Sequence, residues 1–257
     1  MNRRQLLLAG VAASIVPFKA YAEPREYRVS TETFRKQATG EDFSARIAEA
    51  IDQLVRRFNI RSQSIVSLGS RFGREEYFFM RHGNRMTMID IDEPNPEGQI
   101  EPLLKTANPG ELRYFIGDAN EVRLSEPFDI LFMSGFGPDD LRRRAIMKNG
   151  KWPADADPFA SMVMRYADQL KPGGLMINQS ITGGPDIPSQ PDFLPACDRQ
   201  LARHGMKLIE LYRYSGTGNN LFIVSKGERP KPTPPPITVF HGRGEFADRN
   251  VEALRLT

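Results

Sequence analysis

Short apolar segments alternate with amphipathic ones along most of this chain, and that alternation restricts the folds available to it. Strands are predicted at seven segments: Ser64–Leu68, Met86–Asp90, Leu112–Ile116, Phe128–Met133, Leu175–Gln179, Met206–Leu211 and Asn220–Ser225. Helices are predicted at four others: Phe43–Phe58, Arg74–His82, Pro158–Lys171 and Asp192–His204. Strands separated by helices pair in parallel and carry helices on both faces of the sheet. The sequence therefore predicts an α/β fold with a seven-stranded, mostly parallel sheet.

The end of this pattern differs from the rest, because no helix separates the last two strands. The turn Ser215–Asn219 joins them instead. A turn this short lets two strands pair only in the antiparallel direction, since parallel pairing needs a long crossover. We therefore expect a C-terminal antiparallel hairpin at one edge of the sheet.

The first 22 residues have the features of an export signal. Arg3 and Arg4 precede the apolar run Leu6–Phe18, and Ala20-Tyr21-Ala22 is a small-x-small site for cleavage. The apolar run is shorter than the roughly 20 residues that span a bilayer. Paired arginines are typical of twin-arginine signals. We predict a signal peptide over 1–22, export to the periplasm through twin-arginine machinery and no stable membrane anchor after cleavage. An apolar helix that stays attached is the alternative.

Without this segment the chain has no net charge. It contains 35 Lys and Arg against 32 Asp and Glu, and Arg3, Arg4 and Lys19 account for the difference. Nucleic-acid binding depends on many phosphate-neutralising cations, so no nucleic-acid partner is expected. Cys197 is the only cysteine, which excludes an internal disulfide and suits a small packing residue. No His or Cys grouping has the spacing of a metal site, so no metal is expected.

The chain is predicted to divide into four parts: signal peptide 1–22, N-terminal extension 23–42, α/β domain 43–227, and proline-rich spacer with C-terminal tail 228–257. Five of the seven residues in 230–236 are proline. This composition favours an extended, stiff segment. We interpret it as a tether in preference to a partner-binding segment.

Three turns follow the carboxyl ends of predicted strands, where open parallel sheets bind ligands. The first contains Gly69, Ser70 and Gly73, and glycine lets the backbone approach a ligand closely. Asp90 ends the second strand, where a carboxylate can accept hydrogen bonds from a ribose diol. The third turn, Gly117-Asp118-Ala119, offers a carboxylate as acceptor for an adenine amino group. An acidic strand end is also a common helix cap and Gly-Asp a common turn, so both interpretations stay open.

With these turns in this order, residues 43–227 resemble the class I S-adenosylmethionine-dependent methyltransferases. Val66–Gly73 matches the glycine-rich first motif of the family, and Leu170–Leu175 matches its Pro-Gly-Gly turn before the fifth strand. The resemblance implies a Rossmann-like sheet with S-adenosylmethionine as cofactor. It assigns the ribose to Asp90 and places Gly117-Asp118-Ala119 beside the adenine. It also implies in-line methyl transfer, which depends on holding donor and acceptor in contact.

The chain departs from the family at two positions of the first motif. The family has an acid where Ser67 stands, and that acid holds the amino group of the methionine portion. A serine offers only a neutral hydrogen bond, which is weaker. The family has glycine where Arg71 stands. We interpret Arg71 either as a clamp for an anion or as a solvent-facing residue of a decayed motif.

The chain is also similar to the aminopropyltransferases related to spermidine synthase, at Asn178-Gln179-Ser180 and Gly218–Leu221. That family has acids where Ser134 and Gly137 stand, and these bind and deprotonate an amine. Activation of a cationic amine by that route is therefore not expected. The long insertion Gly135–Asp157 is expected to cover the pocket, because loops at this end of the sheet build substrate sites.

Two functional hypotheses follow from these features. The first is an exported methyltransferase-like enzyme that uses S-adenosylmethionine and acts on an unidentified small molecule. The second is a non-catalytic periplasmic binding or accessory protein that reuses the same fold, since fold alone does not fix activity.

Overall fold

One eight-stranded sheet forms the frame of the protein. The structure is a computed structural model that describes residues 41–69, 73–91, 111–134, 157–181, 192–214, 219–238 and 251–254. The described helices are α1 (Glu41–Phe58), α2 (Arg74–Met80), α3 (Ser161–Ala167) and α4 (Phe193–Arg203). The strands are β1 (Ser64–Leu68), β2 (Arg85–Asp90), β3 (Leu112–Ile116), β4 (Phe128–Ser134), β5 (Leu170–Ile181), β6 (Met206–Tyr214), β7 (Asn219–Lys226) and β8 (Val251–Leu254).

The strands lie in the order β3-β2-β1-β4-β5-β7-β6-β8. The first five in this order pair in parallel, whereas β7 pairs antiparallel with both β5 and β6. All seven predicted strands form, and the mostly parallel sheet with its β6–β7 hairpin is confirmed. The chain moves outward from β1 to β3 and then crosses to β4 on the other side of β1. Open α/β sheets bind ligands outside the carboxyl ends of the strands at such a reversal, which here lies between β1 and β4.

Apolar layers cover both faces of the sheet. On one face α1 and α2 pack against the strands, with Leu54, Phe79 and Phe132 buried between them. On the other face α3 and α4 bury Tyr166 and Cys197. The central strands have near-continuous apolar sequences because both of their faces are covered. The predicted helices on both faces are thus confirmed, as is the burial of Cys197.

The sheet has one strand more than predicted. The additional strand, β8, comes from the C-terminal tail and pairs antiparallel with Leu211–Tyr214 of β6. It lies at the outer edge of the sheet. A run as short as Val251–Leu254 carries too little periodicity to be recognised as a strand from sequence. Part of the predicted tail therefore belongs to the sheet.

The predicted helix Pro158–Lys171 is wrong at its C-terminal end. α3 ends at Ala167, and Leu170 already pairs with Phe128 as part of β5. The Pro-Gly-Gly segment at 172–174 lies inside β5, where the pairing with β4 shifts register. Pro-Gly-Gly is typical of the end of a helix, so the sequence places this boundary several residues too late.

The first part of the predicted spacer lies along α1. The Thr233 N–H donates to the Arg57 carbonyl oxygen at 2.8 Å, and the Thr238 N–H donates to Gln53 Oε1 at 2.8 Å. Ile237 is only 2% exposed and belongs to the apolar layer on the α1 face. These contacts attach the proline-rich segment to the domain along its length.

The signal peptide predicted over 1–22 lies outside the described residues, as does the N-terminal extension up to residue 40. Both, and the export route, stay predictions. Within the described ranges, no helix combines the length and the apolar character required to cross a membrane.

We expect Gly174→Ala to destabilise the protein strongly. A Cβ at this position would lie 2.8 Å from the Asp129 carbonyl oxygen and 2.9 Å from that of Lys171. Only a shift of backbone between β4 and β5 could relieve these contacts. We predict a loss of about 3 kcal/mol in the free energy of unfolding, measured by urea denaturation.

Gly205→Ala is the matched control for that variant. The φ of Gly205 is +66°, which alanine adopts poorly, but nothing lies within 4 Å of the added Cβ. The expected loss is therefore only the cost of the left-handed conformation, about 1 kcal/mol. Equal losses for the two variants would contradict the close approach described for Gly174.

Candidate functional site

The three predicted turns lie side by side at the carboxyl ends of β1, β2 and β3. The Gly69 N–H donates to the Ile89 carbonyl oxygen at 2.9 Å, and the Gly117 N–H donates to the Asp90 carbonyl oxygen at 2.8 Å. Neighbouring strands lie about 4.8 Å apart, so the ends of β1, β2 and β3 span about 10 Å. Backbone hydrogen bonds therefore join the turns that are predicted to bind one ligand.

The glycines of the first turn have left-handed backbone conformations. The φ angles are +73° for Gly69 and +57° for Gly73. Gly73 precedes α2, and its carbonyl oxygen accepts the Tyr77 N–H at 3.1 Å. Glycine adopts this conformation at no steric cost, so both positions help to set the path from β1 into α2. Ser70 lies between them, outside the described residues.

Asp90 ends β2 and is 8% exposed, so its carboxylate is largely shielded from water. The next residue, Ile91, is 71% exposed, which is unusual for a large apolar side chain among the described residues. Together they place a carboxylate beside an apolar surface at the end of one strand. The sequence analysis did not single out Ile91, and its position directly after a strand-ending acid was the available signal.

The third turn uses its carboxylate locally. Asp118 Oδ1 accepts the Asn120 N–H at 2.7 Å and the Asn120 Nδ2–H at 2.9 Å. The carbonyl oxygen of Ala119, which is buried, accepts the Tyr166 hydroxyl at 3.0 Å and an Arg165 N–H at 2.5 Å. The structure thus contains the contacts of the alternative interpretation, in which Asp118 stabilises its own turn. The predicted contact between Asp118 and an adenine amino group stays a prediction.

A carboxylate from α2 reaches the end of β1, where the sequence analysis found only a serine. The Ser67 hydroxyl donates to Glu76 Oε1 at 2.5 Å. Both residues are buried, with exposures of 1% for Ser67 and 3% for Glu76. The end of β1 therefore does have an acidic group beside it, although the group comes from the helix that follows the glycine turn.

The end of β4 has a similar contact. The Ser134 hydroxyl lies 2.9 Å from Glu75 Oε1 and 3.1 Å from Gln179 Oε1 of β5. Ser134 and Gln179 are opposite each other in the pairing of β4 with β5. Glu75 and Gln179 are buried. The two serines that stand in place of acids thus each contact one of two adjacent glutamates.

Sequence reasoning missed Glu75 and Glu76 as site residues. Acids in the first turn of a helix are common because they suit the helix dipole, so the pair drew no attention. The signal that could have found them is the combination of two strand-end serines with two adjacent acids just after the glycine turn.

Two predicted features lie outside the described residues: Arg71 and most of the insertion, residues 135–156. The roles assigned to them stay predictions. Among the residues that are described, no three His, Cys, Asp or Glu side chains are grouped so as to hold a metal ion.

The strand order and the helices on both faces define a Rossmann-like α/β fold. The chain is similar to several solved methyltransferase structures. The 1,6-didemethyltoxoflavin-N1-methyltransferase of Burkholderia thailandensis is 15% identical, with 80% of this chain and 94% of that chain covered and a TM-score of 0.48. The CcbJ methyltransferase of Streptomyces caelestis is 12% identical, with 71% and 90% covered and a TM-score of 0.48. A TehB-like S-adenosylmethionine-dependent methyltransferase of Corynebacterium glutamicum is 17% identical, with 76% and 92% covered and a TM-score of 0.43.

These similarities concern the fold alone. No family model matches the chain, and no curated protein sequence matches it.

Proposed function

We propose that this protein is an S-adenosylmethionine-dependent methyltransferase-like enzyme that acts on a small molecule. The observation that carries the proposal is the position of Asp90, shielded at the end of β2 and linked through its carbonyl oxygen to the Gly117 turn. The Gly69 turn is hydrogen-bonded to the residue just before Asp90. This arrangement supports binding of one nucleoside across three strand ends.

The residues at these strand ends have the chemistry needed to contact the ribose, the base and the 5′ substituent of a nucleoside. The Asp90 carboxylate is an acceptor for the two ribose hydroxyls, and hydrogen bonds to a charged group are among the stronger ones. Ile91 offers an exposed apolar surface for the face of a base. Gly69 has no side chain to obstruct the ribose or its 5′ substituent. When bound, S-adenosylmethionine supplies a methyl group on a sulfonium centre.

The ends of β4 and β5 are the proposed place for the methyl acceptor. Ser134, Glu75 and Gln179 meet there and present hydroxyl, carboxylate and amide groups. Such groups fix the orientation of a small polar molecule. The contribution to rate that we assign to them is positioning, because in-line transfer needs the reacting atoms held in contact.

The serines at the ends of β1 and β4 favour the second candidate function, a non-catalytic binding or accessory protein. Neither serine is itself an ionised group. Their contacts with Glu76 and Glu75 weigh against that candidate, since carboxylates still reach both strand ends. Formation of S-adenosylhomocysteine from S-adenosylmethionine in the presence of an acceptor would distinguish an enzyme from a binding protein.

Export to the periplasm by the twin-arginine route is a further part of the proposal, and it is supported by the sequence of residues 1–22. The partners expected for the protein are a small-molecule substrate and the export machinery. A reporter fused to the signal and carrying Arg3→Lys and Arg4→Lys should lose export. Undiminished export would rule out strict twin-arginine dependence.

Binding to the purified protein tests the proposed function directly. We expect isothermal titration calorimetry to give micromolar or tighter affinity for S-adenosylhomocysteine. The shorter ligand 5′-methylthioadenosine, which keeps the base, the ribose and the sulfur, should also bind. Absence of binding by both ligands would refute the proposal.

A further inference from the structure

A buried carboxylate that does not belong to any strand lies at the carboxyl end of β1. It is the side chain of Glu76, the third residue of α2, and it is 3% exposed. We propose that Glu76 binds the ammonium group on the amino-acid portion of the nucleoside ligand and so lets the site favour ligands that carry this group. This inference rests on the proposed function and names the residue that recognises the charged half of the ligand.

The first step of the argument is the orientation of the carboxylate. The Ser67 hydroxyl donates to Glu76 Oε1 at 2.5 Å, which attaches one carboxylate oxygen to β1, two residues before Gly69. The neighbours of Ser67 in the sheet are Met88 of β2 and Phe132 of β4. Glu76 therefore brings a carboxylate to this strand end. Ser67 acts on the ligand only indirectly, because it holds the Glu76 carboxylate in place.

The second step is the location of Glu76 relative to the nucleoside half of the site. Ser67 lies two residues before Gly69, and the Gly69 N–H is bonded to the carbonyl oxygen of Ile89, next to Asp90. A ribose bound on Asp90 therefore has its 5′ substituent close to the end of β1. An ammonium group on that substituent meets a carboxylate, and charge-assisted hydrogen bonds are roughly twice as strong as neutral ones.

The third step separates Glu76 from its neighbour. Glu75 contacts Ser134 at the end of β4, on the far side of β1 from Asp90. The two adjacent glutamates are therefore directed to different strands. Only Glu76 is directed to the strand that borders the nucleoside half.

A pair of ligands gives the test. S-adenosylhomocysteine carries the ammonium group, whereas 5′-methylthioadenosine has the same base, ribose and sulfur but lacks it. We expect Glu76→Gln to weaken S-adenosylhomocysteine binding about 10- to 100-fold. Affinity for 5′-methylthioadenosine should stay within about twofold. The glutamine has the shape of the glutamate and still accepts the Ser67 hydroxyl, so the fold is retained.

A double variant that moves the carboxylate from residue 76 to residue 67 tests whether the lost affinity can be restored. The double variant Ser67→Asp, Glu76→Gln returns one carboxylate to the end of β1, and the new amide of residue 76 can donate to it. We expect this variant to recover most of the lost affinity for S-adenosylhomocysteine. A residue that served only to stabilise the helix would not be replaced in this way.

Each outcome decides between the two proposals. If the wild-type protein binds neither ligand, the proposed function fails. If both ligands bind the wild type and Glu76→Gln weakens them equally, or weakens neither, this inference is overturned and the function stands. Should Glu76→Gln fail to fold, Ser67→Ala takes its place. It frees the carboxylate to move, so it should selectively weaken the binding of S-adenosylhomocysteine, and an equal change in affinity for the two ligands, or no change, would overturn the inference.

Discussion

Replacement of Asp90 by alanine is expected to weaken S-adenosylhomocysteine binding at least about 100-fold. The carboxylate is the proposed acceptor for both ribose hydroxyls, and two charge-assisted hydrogen bonds are lost together. The binding of 5′-methylthioadenosine should fall by the same factor, because that ligand has the same ribose. Calorimetry measures both affinities, and melting temperatures show whether the variant stays folded.

The matched control for Asp90 is Asp168→Ala. Asp168 lies between α3 and β5, at the amino ends of the strands, and its carboxylate is exposed and bonded to His204. This variant removes one negative charge from the same protein without changing the proposed ligand site. Its ligand affinities should equal those of the wild type. Unchanged binding in Asp90→Ala would remove the main support for a nucleoside site.

Replacement of Arg57 by alanine is expected to cost about 3 kcal/mol in the free energy of unfolding. Arg57 Nε lies 2.8 Å from Glu210 Oε2, and its Nη1–H groups donate to the carbonyl oxygens of Thr233 at 3.0 Å and Pro235 at 2.9 Å. Its side chain is 14% exposed and that of Glu210 is 13% exposed. Loss of the guanidinium leaves a poorly solvated carboxylate on β6. It also removes two of the hydrogen bonds that hold the proline-rich segment against α1.

The remaining partner of Glu210 cannot compensate for that loss. The Tyr212 hydroxyl donates to Glu210 Oε2 at 2.6 Å. Burial, together with this bond, raises the pKa of Tyr212, so the hydroxyl stays a neutral donor. A single hydrogen bond from an uncharged hydroxyl brings no positive charge to Glu210 and is weaker than the bidentate pair with an arginine.

Arg56→Ala is the control for Arg57, because Arg56 is the preceding residue of α1 and is exposed. Surface substitutions of this kind change stability by no more than about 0.5 kcal/mol. Urea unfolding of both variants measures the difference. Similar losses would show that the proline-rich segment contributes little to the stability of the domain.

The sequence was sufficient to predict the strands because their burial leaves a clear pattern. β1 and β3 begin and end at the predicted residues, and β4 is longer by one residue, Ser134. β1 and β4 are covered on both faces, so they are short, largely apolar runs bounded by polar turns. β3 is the outermost strand on its side of the sheet, and there an exposed Arg113 lies between buried Leu112 and Tyr114. The boundary between α3 and β5 was missed because Pro172, Gly173 and Gly174 are typical of a helix end, whereas in the structure they lie inside β5.

Contacts between distant parts of the chain could not be predicted. The bond between Ser134 and Glu75 joins residues far apart in sequence, and nothing in either local sequence indicates the other. The same holds for Arg57 and Glu210. Sequence analysis could therefore predict a nucleoside half of the site from the strand ends, and this stays a prediction. It missed the acids of α2, because their position depends on how a helix lies over those ends.

A structure of the protein with bound S-adenosylhomocysteine tests the central claim most directly. We predict that the nucleoside lies across the carboxyl ends of β1, β2 and β3. The ribose hydroxyls should be within hydrogen-bonding distance of the Asp90 carboxylate, and the base should contact Ile91. A ligand bound elsewhere on the protein, or a ribose out of reach of Asp90, would contradict the account.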